Sequence, residues 1–279
     1  MPTAVRPLAA ACAALLLFAG PAAVFPNAMA PTAQAGGLVW TLPEPGTMVR
    51  HEGTYTQTLT DRQNQVTTVE RRRQITVRAL EAETASVDGN DVPARWLEIV
   101  SEVGTPGERG LETGPAGRVL FKVLVPEDAV TGVVANENGI PEAFLPVIRG
   151  WKQVGDLEPV EFGSALRAYP SLTLLKDYEP TELTDEGQDS ADTPGGRFDG
   201  TRYRGKVVEE SERARVTNEG TFLISPDVPF GPVEWEVTLT REEKDLSEPR
   251  SAYRESSKTV VRMSVHEIAD DARGELPLP

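Results

Sequence analysis

Asp88, Gly89, Asn90 and Asp91 stand between two runs of extended character, TASV before them and VPARWLEIVSEV after. An Asp-Gly pair supplies a turn in which positive φ carries little steric cost, which is what a tight connection between antiparallel strands requires. In the run that follows, Val92, Trp96 and Val100 share one parity and fall on one face of a strand. This is the clearest local signal in the chain, and it points to hairpins. MVRHEGTYTQTLT (48–60), rich in Thr, Tyr and Val and broken only at Gly53, leads through the turn residues DRQNQ into QVTTVERRRQITVRAL (65–80), a second hairpin.

The pattern continues. A short strand, apolar but for Lys122, spans 119–125 and is closed by Pro126. RYRGKVVEESERARVTNEGTFLI (202–224) reads as two strands with a turn at Asn218-Glu219-Gly220. DVPFGPVEWEVTL (227–239) reads as a corner feeding an amphipathic strand, and ESSKTVVRMSVHEI (255–268) as a last strand with Val261, Met263 and Val265 on one face. The count comes to roughly nine to eleven strands joined mostly by hairpin-length loops, which predicts a mainly β fold built on one large antiparallel sheet. IPEAFLPVIRGW and SALRAYPSLTLLKDY carry apolar residues at spacings that predict a few short helices covering the sheet, limited by Pro146 and Pro170. The stretch 179–200, acidic and nearly free of apolar residues, predicts a flexible loop within a single β-rich domain at 36–279.

The first 35 residues read as a secretory signal peptide: Arg6, an apolar run over 8–20, and small-residue cleavage patterns ending at Ala30 or Ala35. This predicts a periplasmic or secreted product. Cys12, the one cysteine, lies in the apolar run, so cleavage leaves a chain without disulfides, thiol nucleophiles or thiolate metal sites. The net charge is −15, one unit more negative once Arg6 is removed. Such a surface repels phosphate backbones and argues against nucleic acid as a partner. Arg71, Arg72 and Arg73 are the local exception, read as a solvated strand face with Arg72 pointing away from the other two.

Catalytic signatures are missing. His51 and His266 lie in no metal-ligand spacing, and GxSxG does not occur. DEGQDSAD (185–192) lacks the order of a calcium loop. The expectation is therefore a non-enzymatic monomer without metal or cofactor. Trp96 and Trp235 fall within predicted strands, and Val233 and Val237 share the parity of Trp235. These four are the candidate lining of an apolar cavity; the alternative is that the aromatics fill the core.

TFLISPDVPFGPVEWEVTL, a strand, a Ser/Asp corner, V-P-x-G and a second strand, resembles a motif of exported bacterial proteins related to the LolA/LolB-like lipoprotein carriers and their DUF3108/TapB-type relatives. GNDVPARWLEI resembles the corresponding corner of their first half. The resemblance spans 47–268 and departs from the family at 179–200. It implies a strongly curved half-barrel with helices over its mouth and an apolar cavity that in the carriers accepts acyl chains. Val228, Pro229 and Gly231 would form the corner. The reading that follows is an envelope protein binding a lipid or other hydrophobic ligand; the alternative is a scaffold that docks an envelope protein through its sheet surface or acidic loop.

Overall fold

The computed structural model describes residues 41–277, apart from 62, 88, 109, 116, 130–133, 136–140, 143–144 and 167–182. Fourteen strands occur among the described residues: β1 (Met48–Thr60), β2 (Val66–Val87), β3 (Asn90–Gly107), β4 (Gly110–Glu112), β5 (Arg118–Pro126), β6 (Val134–Ala135), β7 (Pro141–Glu142), β8 (Leu145–Val154), β9 (Val160–Leu166), β10 (Leu183–Thr193), β11 (Gly196–Glu210), β12 (Ala214–Ile224), β13 (Pro232–Glu243) and β14 (Arg254–Ala269). Eleven of them form one path, β10-β11-β12-β13-β14-β1-β2-β3-β5-β8-β9, with β4 added beside β3 and β6-β7 forming a separate ribbon. Every pairing on the path is antiparallel, and the sheet is open rather than closed into a barrel.

All neighbours on this path are close in sequence except one. β14 pairs with β1, Tyr55 opposite Val261 and Met48 opposite Ala269, and so joins two meanders into a single sheet. At this seam the backbones approach so closely that a Cβ on Gly53 would lie 1.7 Å from the Arg262 carbonyl oxygen.

The face bearing the odd-numbered residues of β1, β2, β3, β5, β13 and β14 holds the main core. Val49, Ile75, Val77, Leu97, Ile99, Val123, Val233, Val237, Val261 and Val265 are fully buried there. The sheet is curved toward this inner face. The β10–β11 hairpin overshoots the end of β12, and the Gly195 amide donates to the Val265 carbonyl at 3.2 Å, although β11, which begins at the next residue, lies three strands from β14. In a flat sheet that separation would be about 14 Å.

The corner between β12 and β13 seals this end. Val228 and Phe230 are buried in the core, and Phe230 takes φ 67° followed by Gly231 at 103°. Ser225 Oγ donates to the Asp199 carbonyl at 2.6 Å and accepts from the Asp227 amide, while the Gly231 amide donates to the Val228 carbonyl. The DVPFG corner is thus an inward plug, fastened to the hairpin tip beside it.

The hairpins at DRQNQ and DGND form as predicted: Asp61 Oδ1 accepts from the amides of Gln63 and Gln65, and Gly89 takes φ 81°. Four expectations need correction. IPEAFLPVIRGW contributes β8 rather than a helix, because the edge of β5 must be paired and Val147 enters the core. Residues 164–166 of the second predicted helix lie in β9, and the rest falls outside the described residues. Within the acidic stretch, 183–193 is an edge strand hydrogen-bonded to β11 rather than a loop. Its charge is matched across the ladder, Asp189 by Arg202 at 2.5 Å and Glu186 by Arg204 at 2.8 Å, and a charged edge resists pairing with other chains. Finally, the β11–β12 turn lies at Ser211, whose hydroxyl bridges Ala214, while Asn218 is buried in mid-strand.

If the β1–β14 seam holds the sheet together, Gly53→Ala lowers the free energy of unfolding by at least about 3 kcal/mol, since the backbone must part at this pairing. Urea unfolding midpoints of the variant and the parent provide the check.

Candidate functional site

The sequence places Val233, Trp235 and Val237 on one face of β13, and the structure brings all three together on the inner face. They do not border an open space. Val233 and Val237 are fully buried and Trp235 is 3% exposed, packed with Phe222 and Met263 in the neighbouring strands. Trp96 lies elsewhere. It is one residue out of phase with Leu97 and Ile99, so it points to the outer face, where it packs with Leu80, Ala94 and Leu124 and donates Nε1–H to Glu83 at 2.8 Å. The four residues do not line one surface, because β3 is apolar on both faces and Val92-Trp96-Val100 is the outer one.

At the centre of the inner face stands His51, wholly buried on β1. Its ring spans β14 to reach β13, with Nε2 2.8 Å from the Pro232 carbonyl and the ring centroid 4.8 Å from that of Trp235. Burial lowers its pKa to about 4, so the neutral imidazole donates Nε2–H to Pro232 and leaves Nδ1 as an acceptor. Among the described residues neither Nδ1 nor Trp235 Nε1 meets a hydrogen-bond partner. His266 sits on the adjoining strand with the opposite parity and faces Glu52 at 3.6 Å on the outer side. Adjacent strands therefore do not unite the two histidines. No group of three His, Cys, Asp or Glu that could hold a metal ion occurs among the described residues.

Away from the sealed end the inner face changes character. Along β2, Ile75, Val77 and Ala79 are fully buried, Arg73 is 4% exposed, and 66–72 are all exposed. Arg73 is thus a buried cation at the boundary rather than part of a solvated face, and desolvation lowers its pKa to about 10, with Tyr55 acting in the other direction. Beyond it the same face carries Tyr55, Gln57 and Leu59 on β1 and Val69 on β2. Across the seam it carries the half-buried Leu239, Val216 and Val207 around the buried Asn218 and Thr259. Leu59 is 45% and Val69 36% exposed. This amphiphilic half of the trough is the candidate binding surface. Its signal in sequence is the continuation of the inward parity along each strand, odd-numbered for Tyr55 through Leu59, Val207 and Leu239 and even-numbered for Val216 on β12.

A hollow of about 660 Å³ near the hairpin ends is lined largely by charged residues that engage one another, Arg241 with Glu243 and Arg254 with Glu248. Such compensated charge gives it little attraction for an ionic ligand.

No protein-family model and no curated protein matches the sequence. Among solved structures, the chain is similar to a candidate exported protein with a YmcC-like fold from Bacteroides fragilis, at 10% identity and TM-score 0.32, over 83% of this chain and 99% of that one. It is similar also to a candidate lipoprotein from Parabacteroides distasonis, at 14% identity and TM-score 0.31, over 83% and 98%. Both scores lie below the level at which a shared fold follows.

The buried neutral His51 makes stability depend on pH. Its folded pKa is depressed below the unfolded value of about 6.5, so its contribution is intact above that value and is lost as pH falls toward about 4. The loss amounts to roughly 3 kcal/mol. His51→Leu should remove that part of the difference in unfolding free energy between about pH 7 and about pH 4. Chemical denaturation at the two pH values measures it.

Proposed function

We propose that this chain is an exported, non-enzymatic binding protein that holds a hydrophobic ligand of the acyl-chain class on the open half of its inner face. The observation that carries this reading is the burial gradient along β2 and its neighbours: the inner face is filled and plugged at one end and left half-exposed at the other, where Tyr55, Leu59 and Val69 stand among polar residues such as Gln57 and Arg71. An exposed apolar continuation of a core face favours a ligand with an extended apolar portion, which would lie along Leu239, Val207 and Tyr55. Arg73, at the inner limit of this surface, favours an anionic head group such as a carboxylate. The leader-like N-terminus and the resemblance of the plug to a carrier corner support the compartment and the ligand class.

The alternative is a scaffold that docks an envelope protein through its sheet surface or its acidic stretch. Docking through the acidic stretch is the less supported form, because Glu186 and Asp189 lie in a paired strand and are engaged by Arg204 and Arg202. A fluorescent fatty acid titrated into the mature chain should give a saturable signal. Leu239→Asp should weaken it at least about tenfold with the unfolding midpoint held, since a carboxylate then has to be buried under the chain. Arg73→Met should weaken a fatty acid more than the matching fatty alcohol. Absence of saturation with the parent chain would sink the reading.

A further inference from the structure

On the outer face, far along the sheet from the trough, residues 274–277 lie across β2, β3 and β5 in a way that resembles a bound peptide more than a packed loop. The fully buried Glu98 accepts from the amide of Glu275 at 3.0 and 2.9 Å and from the next amide, Leu276, at 3.0 Å. Lys122, also buried, donates Nζ–H to the Leu276 carbonyl at 2.7 Å. The Leu276 side chain is buried against Val100 and Leu120 with Trp151 beside it. Arg78 and Arg118 both pair with the Glu275 carboxylate, and Arg78 also holds Glu98 at 2.8 Å.

Each contact has a separable role. The backbone is read by one buried anion and one buried cation, which is sequence-independent. The apolar socket selects residue 276, and the two guanidinium groups select an acidic residue before it. Gly274 packs closely against the same cleft: a Cβ there would lie 3.0 Å from Leu80 Cδ1, the end of a side chain that can shift. Two ionised groups buried at the surface of a sheet are costly unless hydrogen-bonded, and here the tail supplies both with backbone partners. A hollow of about 400 Å³ continues beside it, bordered by Leu80, Glu81 and Arg273.

We infer that this cleft is a recognition site for an extended segment of a partner protein with an acidic residue followed by leucine, and that residues 274–277 occupy it as a tethered competitor. The tether gives the tail an effective concentration in the millimolar range, so a partner segment binds the resting chain weakly. Binding in trans releases the tail.

The test uses the full chain carrying Glu275→Ala and Leu276→Ala together, and a labelled peptide copying residues 272–277. Fluorescence anisotropy should show saturable binding at least about tenfold tighter to this variant than to the parent. A peptide with Glu275→Lys and Leu276→Asp should not bind. With the parent chain, excess unlabelled peptide should raise hydrogen exchange at the amides of Glu275 and Leu276 while leaving those of Leu97 and Ile99 unchanged, a readout that needs no substitution in the protein. A folded variant with no saturable binding, equal binding of both peptides, or tail amides that stay protected at saturating peptide each overturns the inference. So does sedimentation of the parent chain as a dimer, which would mean that two copies exchange tails.

Discussion

The pairing of β1 with β14 is the constraint on which the rest of this molecule rests. Every other ladder on the main path is formed by strands near one another in sequence, and the closure entropy of such hairpins grows slowly with their loops. The seam instead joins residues some two hundred positions apart, Met48 with Ala269 and Tyr55 with Val261. Without it the chain would be two meanders, each with an uncovered apolar face and two more sheet edges. With it, the odd-numbered residues of both meanders become one surface that can curl on itself. Gly53 belongs to this requirement, since any side chain there would strike the Arg262 carbonyl.

The seam also explains why the inner face is sealed at one end only. Near Val49 and Val265 the two meanders lie under the β12–β13 corner and the β10–β11 tip, and His51 ties β1 to β13 through Pro232. Toward Leu59 and Ser257 the ladder continues, but β3 leaves β2 after Gly104 to pair with β4, so the sheet is stepped. The upper part of β2 is therefore exposed, and the apolar residues facing inward beside it have no comparable roof among the described residues. A buried histidine at the seam and an open trough beyond it are consequences of the same strand order.

This division shows what was legible in the sequence. Two hairpin turns and strand parity were, because DGND, DRQNQ and the alternation in 233–239 are local, whereas Asn218-Glu219-Gly220 has turn composition in the middle of β12. Which face of a strand meets the inside is not local. Trp96 and Trp235 look equivalent as strand aromatics, yet one is on the outer face, because β3 packs on both sides and Leu97 and Ile99 hold the inner position. The acidic run at 179–200 reads as a loop because the counter-charges of its strand 183–193, Arg202 and Arg204, lie on the next strand. Pro146 was a helix limit by propensity, while the unpaired edge of β5 made that segment a strand. In each case a tertiary partner overrode composition.

The tail clamp depends on the seam in a different way. β14 ends at Ala269 beside Met48, and the chain turns there, with the Ala272 amide donating to the Gly46 carbonyl before residues 274–277 cross to β3 and β5. The clamp therefore bridges from the last strand of one meander to the middle of the other, on the face opposite the trough. It adds a further connection between halves that the seam and the His51–Pro232 hydrogen bond already hold, so its release leaves the core ladder intact. That makes the tail free to act as an exchangeable element: its contacts are to a few side chains of β2, β3 and β5, whereas the register of those strands is set by their own ladders and by the buried residues of the inner face.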